Sequence, residues 1–166
     1  MRKELNELIA KAKKLVNDKN REEAMSLADQ LVEQYPNETE SWGLRAYLHA
    51  LNQSYNDAIA DMTRAIEITP TEVFYFYSRG RYRFALQENQ LAVDDFTNGL
   101  HLCSQYKKED YREELHFWRA EAFLRLGRQN EALFDLAHVP GDEYTSWTDR
   151  LRTKADLVAD CQKLSE

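Results

Sequence analysis

The chain has 166 residues, and its 29 acidic against 22 basic side chains give a formal charge of −7 and a pI near 5.2. That field repels phosphate backbones and anionic headgroups, which excludes nucleic acid and membrane surfaces as expected partners. Only three prolines and five glycines punctuate a sequence rich in Ala, Leu, Glu, Arg and Lys, so the predicted class is all-α, as one domain over 1–166. The opening MRKELNELIAKAKKLVND lacks the apolar stretch of a signal peptide, and no segment approaches the roughly 18 apolar residues that span a bilayer, so the expected location is cytoplasmic. Cys103 and Cys161 stand far apart in no metal-ligand spacing and read as two reduced, partly buried thiols.

In chain order, the elements repeat with a period of 34 residues. The first pair of helices is predicted over about 5–38, with Ala12, Ala24 and Pro36 in fixed slots. The second covers 39–72, where Trp42, Ala46, Tyr55, Ala58, Met62 and Pro70 mark the same register. The third, 73–106, has Phe76, Gly80, Ala92 and Phe96 in the corresponding slots, and Ser104 where the closing proline would fall. After a six-residue shift in the polar SQYKKEDYR, a fourth copy over 113–140 carries Ala120, Gly127, Ala132 and Leu136. There His116 takes the slot of the early aromatic, and Val139-Pro140 cuts the second helix short. Over about 145–164, GDEYTSW offers a turn with Thr145 or Ser146 as N-cap, and Trp147, Leu151, Ala155, Val158 and Cys161 recur at helical spacing as a capping helix.

Small residues at a fixed slot of each first helix (Ala12, Ala46, Gly80, Ala120) and each second helix (Ala24, Ala58, Ala92, Ala132) let two axes approach closely, while the large residues fill the remaining space. On these residues, over about 5–140, the chain resembles the tetratricopeptide repeat family, in the form of a small stand-alone protein of bacterial style. The resemblance implies a right-handed α-α superhelix, a solenoid of about four helix pairs closed by the C-terminal helix.

The slot before the small residue of each first helix is always basic: Lys11, Arg45, Arg79 and Arg119. Sixteen residues on, three of the four copies have Asp61, Asp95 and Asp135, and the first has Leu27. Slots that recur together point to bidentate guanidinium–carboxylate pairs joining helices or neighbouring repeats, which makes these arginines structural; the alternative is an anion-binding ladder. Arg83 has no such recurrence and no assignment.

Arg81 occupies a slot shared with Lys13, Tyr47 and Glu121, where chemistry changes from copy to copy. The resemblance implies that this slot faces a concave groove holding a peptide, and it puts Tyr47, Phe74, Tyr77, Arg81, Phe117, Trp118 and Glu121 on or near its wall. Independently, VFYFY over 73–77 sends five bulky side chains all round a helix, and two helical layers cannot bury every direction. The family's carboxylate clamp of lysines and asparagines is not expected, because the matching positions read Ile9, Lys13, Leu44, Phe74 and Ser78. The expected ligand is a protein or peptide with hydrophobic anchors, met by an aromatic groove with Arg81, Arg125, Glu114 and Glu121 around it, and the acidic charge suits a basic partner.

His49, His101, His116 and His138 fall in no metal or nucleophile pattern, and no glycine-rich phosphate loop is present, so neither an enzyme nor a metal or cofactor is expected. Two forms of binding module remain open: a chaperone or immunity-type protein that sequesters its partner, and a scaffold that self-associates through its ends or convex faces, as monomer or weak dimer.

Overall fold

A computed structural model describes residues 2–142 and 152–163. Among the described residues the regular structure is nine α-helices and no strand, as the all-α reading requires: α1 Arg2–Asn17, α2 Arg21–Gln34, α3 Thr39–Leu51, α4 Tyr55–Ile68, α5 Val73–Ala85, α6 Asn89–Tyr106, α7 Arg112–Arg125, α8 Gln129–Leu136 and α9 Lys154–Lys163. None of these is long and apolar enough to cross a membrane. The helices form two compact units, Met1–Tyr75 and Phe76–Glu166.

In the first unit α1 packs on α2, α2 on α3, and α3 on α4. Ala12, Ala24, Ala46 and Ala58 are wholly buried, so the small slots lie where helices cross. Leu5, Leu31, Leu44 and Leu48 fill the core around them. In the second unit α7 packs on α6, α8 and α9. Ala92, Ala120 and Ala132 are again wholly buried. Gly80 explains its own departure from alanine: a Cβ there would lie 2.5 Å from the ring of Phe96, itself without exposed surface. Repeats two and four place the slimmer Met62 and Leu136 in that slot and keep alanine opposite.

The turn from first to second helix is the same in all four repeats. Lys19, Gln53, Gln87 and Gly127 adopt left-handed φ of 61°, 60°, 64° and 72°. The next amide closes a six-to-one hydrogen bond in each: Asn20 N to Leu15 O, Ser54 N to His49 O, Glu88 N to Arg83 O and Arg128 N to Phe123 O, at 2.8–2.9 Å. These are Schellman caps, which satisfy the orphan carbonyls at the end of each first helix.

The irregular parts have local causes. With Ser104 in place of a proline, α6 runs on to Tyr106, 18 residues against 14 in α4, and stops at Lys107, which is left-handed. α8 has only eight residues and ends at Leu136, ahead of Val139-Pro140. Trp147 and Leu151 of the expected last stripe, and the N-cap candidates Thr145 and Ser146, lie outside the described residues. The described part, α9, starts from a reciprocal cap instead: Asp156 N donates to Thr153 Oγ1 at 3.1 Å, and Thr153 N donates to Asp156 Oδ2 at 2.8 Å. Its inward face corrects the expected stripe. Leu157 and Cys161, four residues apart, are wholly buried, Val158 is half-buried and Ala155 is exposed. Both cysteines are buried, and burial pushes the pKa of each thiol up.

Candidate functional site

The arginine slots come first, because they separate structural from available cations. Arg45 Nε and Nη2 grip Asp61 at 2.9 and 2.7 Å, and Arg119 Nε and Nη2 grip Asp135 at 2.8 and 2.7 Å. Arg79 does the same to Asp95, at 3.0 and 2.7 Å. The three carboxylates are at most 4% exposed. The remaining nitrogen reaches the preceding helix pair: Arg45 Nη1 donates to Asp29 at 3.2 Å, and Arg119 Nη1 donates to Thr97 Oγ1 at 3.0 Å. The aromatic slot supports the same guanidinium, with Arg45 5.2 Å from the Trp42 ring and Arg79 5.8 Å from that of Phe76. These arginines join helices and neighbouring repeats, as their recurrence implied.

Arg83, unassigned from sequence, is a second partner of Asp95, with Nη1 at 2.8 Å. In the fourth repeat His116 Nδ1 plays that part for Asp135 at 2.9 Å. Burial would raise the Asp135 carboxyl, but the hydrogen bonds from Arg119 and His116 outweigh it and hold it below the ordinary range.

Arg81 is placed differently. Its guanidinium carbon lies 5.5 Å from the Tyr77 ring and 5.1 Å from the Trp118 ring, and Nη1 is 3.3 Å from Tyr77 Oη. No carboxylate grips it among the described residues. Its Nε and the indole N–H of Trp118 are both buried without a hydrogen-bond partner. Trp118 meets Phe84 edge-on at 5.2 Å, and Arg125 lies over the other ring of that pair, 3.6 Å from the Phe84 centroid. Glu121, one turn along α7 from Trp118, is 3.4 Å from Arg152 and 3.9 Å from Arg125. Burial lowers the Arg125 pKa, Glu121 raises it and Arg152 lowers it, with burial the largest effect.

So Tyr77, Arg81 and Trp118 come together, with Glu121 beside them. Tyr77, Trp118 and Glu121 are nonetheless 7%, 5% and 7% exposed. Arg152, two residues ahead of α9, reaches Glu121 on that side of α7, and α9 itself packs on α7. Phe117 is the clearest correction: it has no exposed surface and stands edge-on to Trp118 at 6.3 Å, a core residue of a helix covered by three others. In the first unit Tyr47 and Phe74 are exposed, at 47% and 37%. Of the five residues in VFYFY only Phe74 is exposed, while Val73, Tyr75 and Tyr77 are buried. Sequence reasoning missed Phe84, Tyr111, whose ring lies 5.1 Å from that of Tyr77, and Arg152. No slot comparison could find Arg152, because it lies beyond the last repeat.

No family model and no curated protein matches the chain. Solved structures do. A crystal structure of the MamA protein superposes with a TM-score of 0.71 at 16% identity, over 82% of this chain and 72% of the other. The TPR2B domain of yeast Sti1, in a pHsp70 complex, gives 0.66 at 19%, over 71% and 94%. YrrB, described as a TPR protein with an unusual peptide-binding site, gives 0.66 at 18%, over 78% and 64%. At such identities the likeness establishes the fold.

Proposed function

We propose that this chain, which has the tetratricopeptide repeat fold, is a non-catalytic protein-interaction module that binds a partner through the cluster of Arg81, Tyr77 and Trp118. The observation that carries the reading is the pair of buried, unpartnered donors, Arg81 Nε and Trp118 Nε1, set against aromatic faces. A buried donor without an acceptor costs about 1–3 kcal/mol, which a partner carbonyl or carboxylate recovers once a local opening of the cluster admits it. Trp and Arg are also the side chains that concentrate binding energy. Solved structures of the same fold add support by analogy, since the Sti1 domain is in a pHsp70 complex and YrrB is described as having an unusual peptide-binding site. A partner with an apolar anchor and an acceptor group suits this cluster. Sequestration of that partner in the manner of a chaperone or immunity protein, in the cytoplasm, is the form this reading takes.

Affinity capture with wild-type and Arg81→Glu baits tests it. The reading expects one protein enriched by the wild type and lost from the variant, with helical circular dichroism unchanged. Identical captures by both baits would contradict it.

A second reading, self-association, is favoured by one feature: Phe134 and Leu133 on α8 are 64% and 38% exposed. Light scattering across a concentration series separates the two, since sequestration expects a monomer and the scaffold a dimer that Phe134→Ser dissolves.

A further inference from the structure

A polar pocket of about 280 Å³ lies between α6, α7 and His138, two residues past the end of the short α8. Three of the chain's four histidines, His101, His116 and His138, line it, together with Arg112 and Arg119. On a protein of net charge −7, this is a local concentration of cationic and hydrogen-donating groups. It is larger than a water site, whose share of liquid volume is about 30 Å³.

The acids nearby are already engaged. Asp135, wholly buried on α8, is gripped by Arg119 and His116, and those bonds keep it ionised. Glu109 lies 2.9 Å from Arg112 Nε, but it is 78% exposed, so water screens that pair and an incoming anion can displace it. Arg112 therefore keeps its Nη donors for a ligand.

The imidazoles have a defined orientation. A carboxylate and a carbonyl only accept hydrogen bonds, so His116 Nδ1 donates to Asp135 and His138 Nδ1 donates to the Phe134 carbonyl, each at 2.9 Å. That leaves Nε2 of both rings for the pocket. The rings stack, 4.5 Å apart and 9° from parallel, and His101 faces the same space from α6. Two imidazolium charges at that separation repel each other, and an anion beside them relieves the repulsion. α9 contributes none of the lining among the described residues.

We propose that this pocket binds a tetrahedral oxyanion, a sulfate or phosphate group. Arg112 supplies the fixed charge, and Ser104 adds a hydroxyl at the rim. Arg119 has a positioning role, since Asp135 and Thr97 hold all three of its nitrogens.

Sulfate is the direct probe, because its charge does not change between pH 5.5 and 7.5 and any pH dependence belongs to the protein. Imidazole C–H resonances of the full chain, followed by NMR during a sulfate titration, should show three of the four histidines shifting together and saturably. Arg112→Gln and His101→Gln alter partly exposed side chains and should fold normally while weakening sulfate severalfold. A phosphoserine peptide that binds more tightly than inorganic phosphate would identify a protein-borne phosphate as the natural ligand, and equal binding a free anion. Non-saturating shifts, or saturable shifts that both folded variants retain, would overturn the proposal.

Discussion

At the scale of single residues, the repeated arginine–aspartate pairs differ in how many partners each acid keeps, and that difference fixes their mutational cost. Asp61 depends on Arg45, with His49 Nε2 only at 3.8 Å, so Arg45→Leu should strand a buried carboxylate at a cost of about 3 kcal/mol. Asp95 has both Arg79 and Arg83. Each single leucine substitution there should cost about 1 kcal/mol, because one cation remains, and the double substitution distinctly more than the sum. Chemical denaturation of the four variants measures this, and additive losses at Asp95 would show that the arginines do not share it. The recurrence of the arginine and aspartate slots made the pairing legible in the sequence. The second partner was not, because His49, Arg83 and His116 are chemically unlike and His116 enters from another slot. Asp135 extends the account to pH: its folded-state pKa is depressed, so it contributes stability above the ordinary carboxyl range near about 3.9 and loses it as pH falls below that. Asp135→Asn should therefore be less stable than wild type near neutrality and lose less on acidification, a difference that thermal melts at several pH values report.

At the scale of elements, four first helices end in the same left-handed turn, though only the fourth has glycine there. Gly127 has nothing within 4 Å of where a Cβ would sit, so Gly127→Ala tests the backbone alone. It should cost roughly 1 kcal/mol, the penalty of a left-handed conformation for an L side chain. Gln87→Gly should be close to neutral, since the strain it relieves is offset by the greater freedom of glycine in the unfolded chain. Urea denaturation of both checks this, and an unaffected Gly127→Ala would mean that the turn rearranges. The spacing of small residues revealed the helix pairs, yet Lys19, Gln53 and Gln87 carry no signal for positive φ. The inward face of the last helix was misjudged for a similar reason. A spacing of three or four residues fitted Ala155, which is exposed, and passed over Leu157, which is buried.

At the scale of the whole molecule, repetition made the architecture readable and the exceptions to it made the candidate surface readable in part. Arg81 stood out because its slot varies, and it is the arginine of its helix without an acid partner among the described residues. Phe117 was chosen because the resemblance puts its slot on or near a concave wall, and it is core, on a helix that packs against α6, α8 and α9. The pocket of histidines escaped notice since its lining residues come from three elements at unrelated slots. On the proposed function, binding energy is concentrated at Arg81 and Trp118. Calorimetric titration of the captured partner against Arg81→Glu and Trp118→Phe is the decisive measurement, since the second variant keeps an aromatic ring while losing the indole N–H and part of the ring surface. Folded variants should bind more weakly by about 2 kcal/mol for Arg81→Glu and about 1 kcal/mol for Trp118→Phe, with Phe134→Ser unchanged. Wild-type affinity in both, or a loss confined to Phe134→Ser, would contradict it.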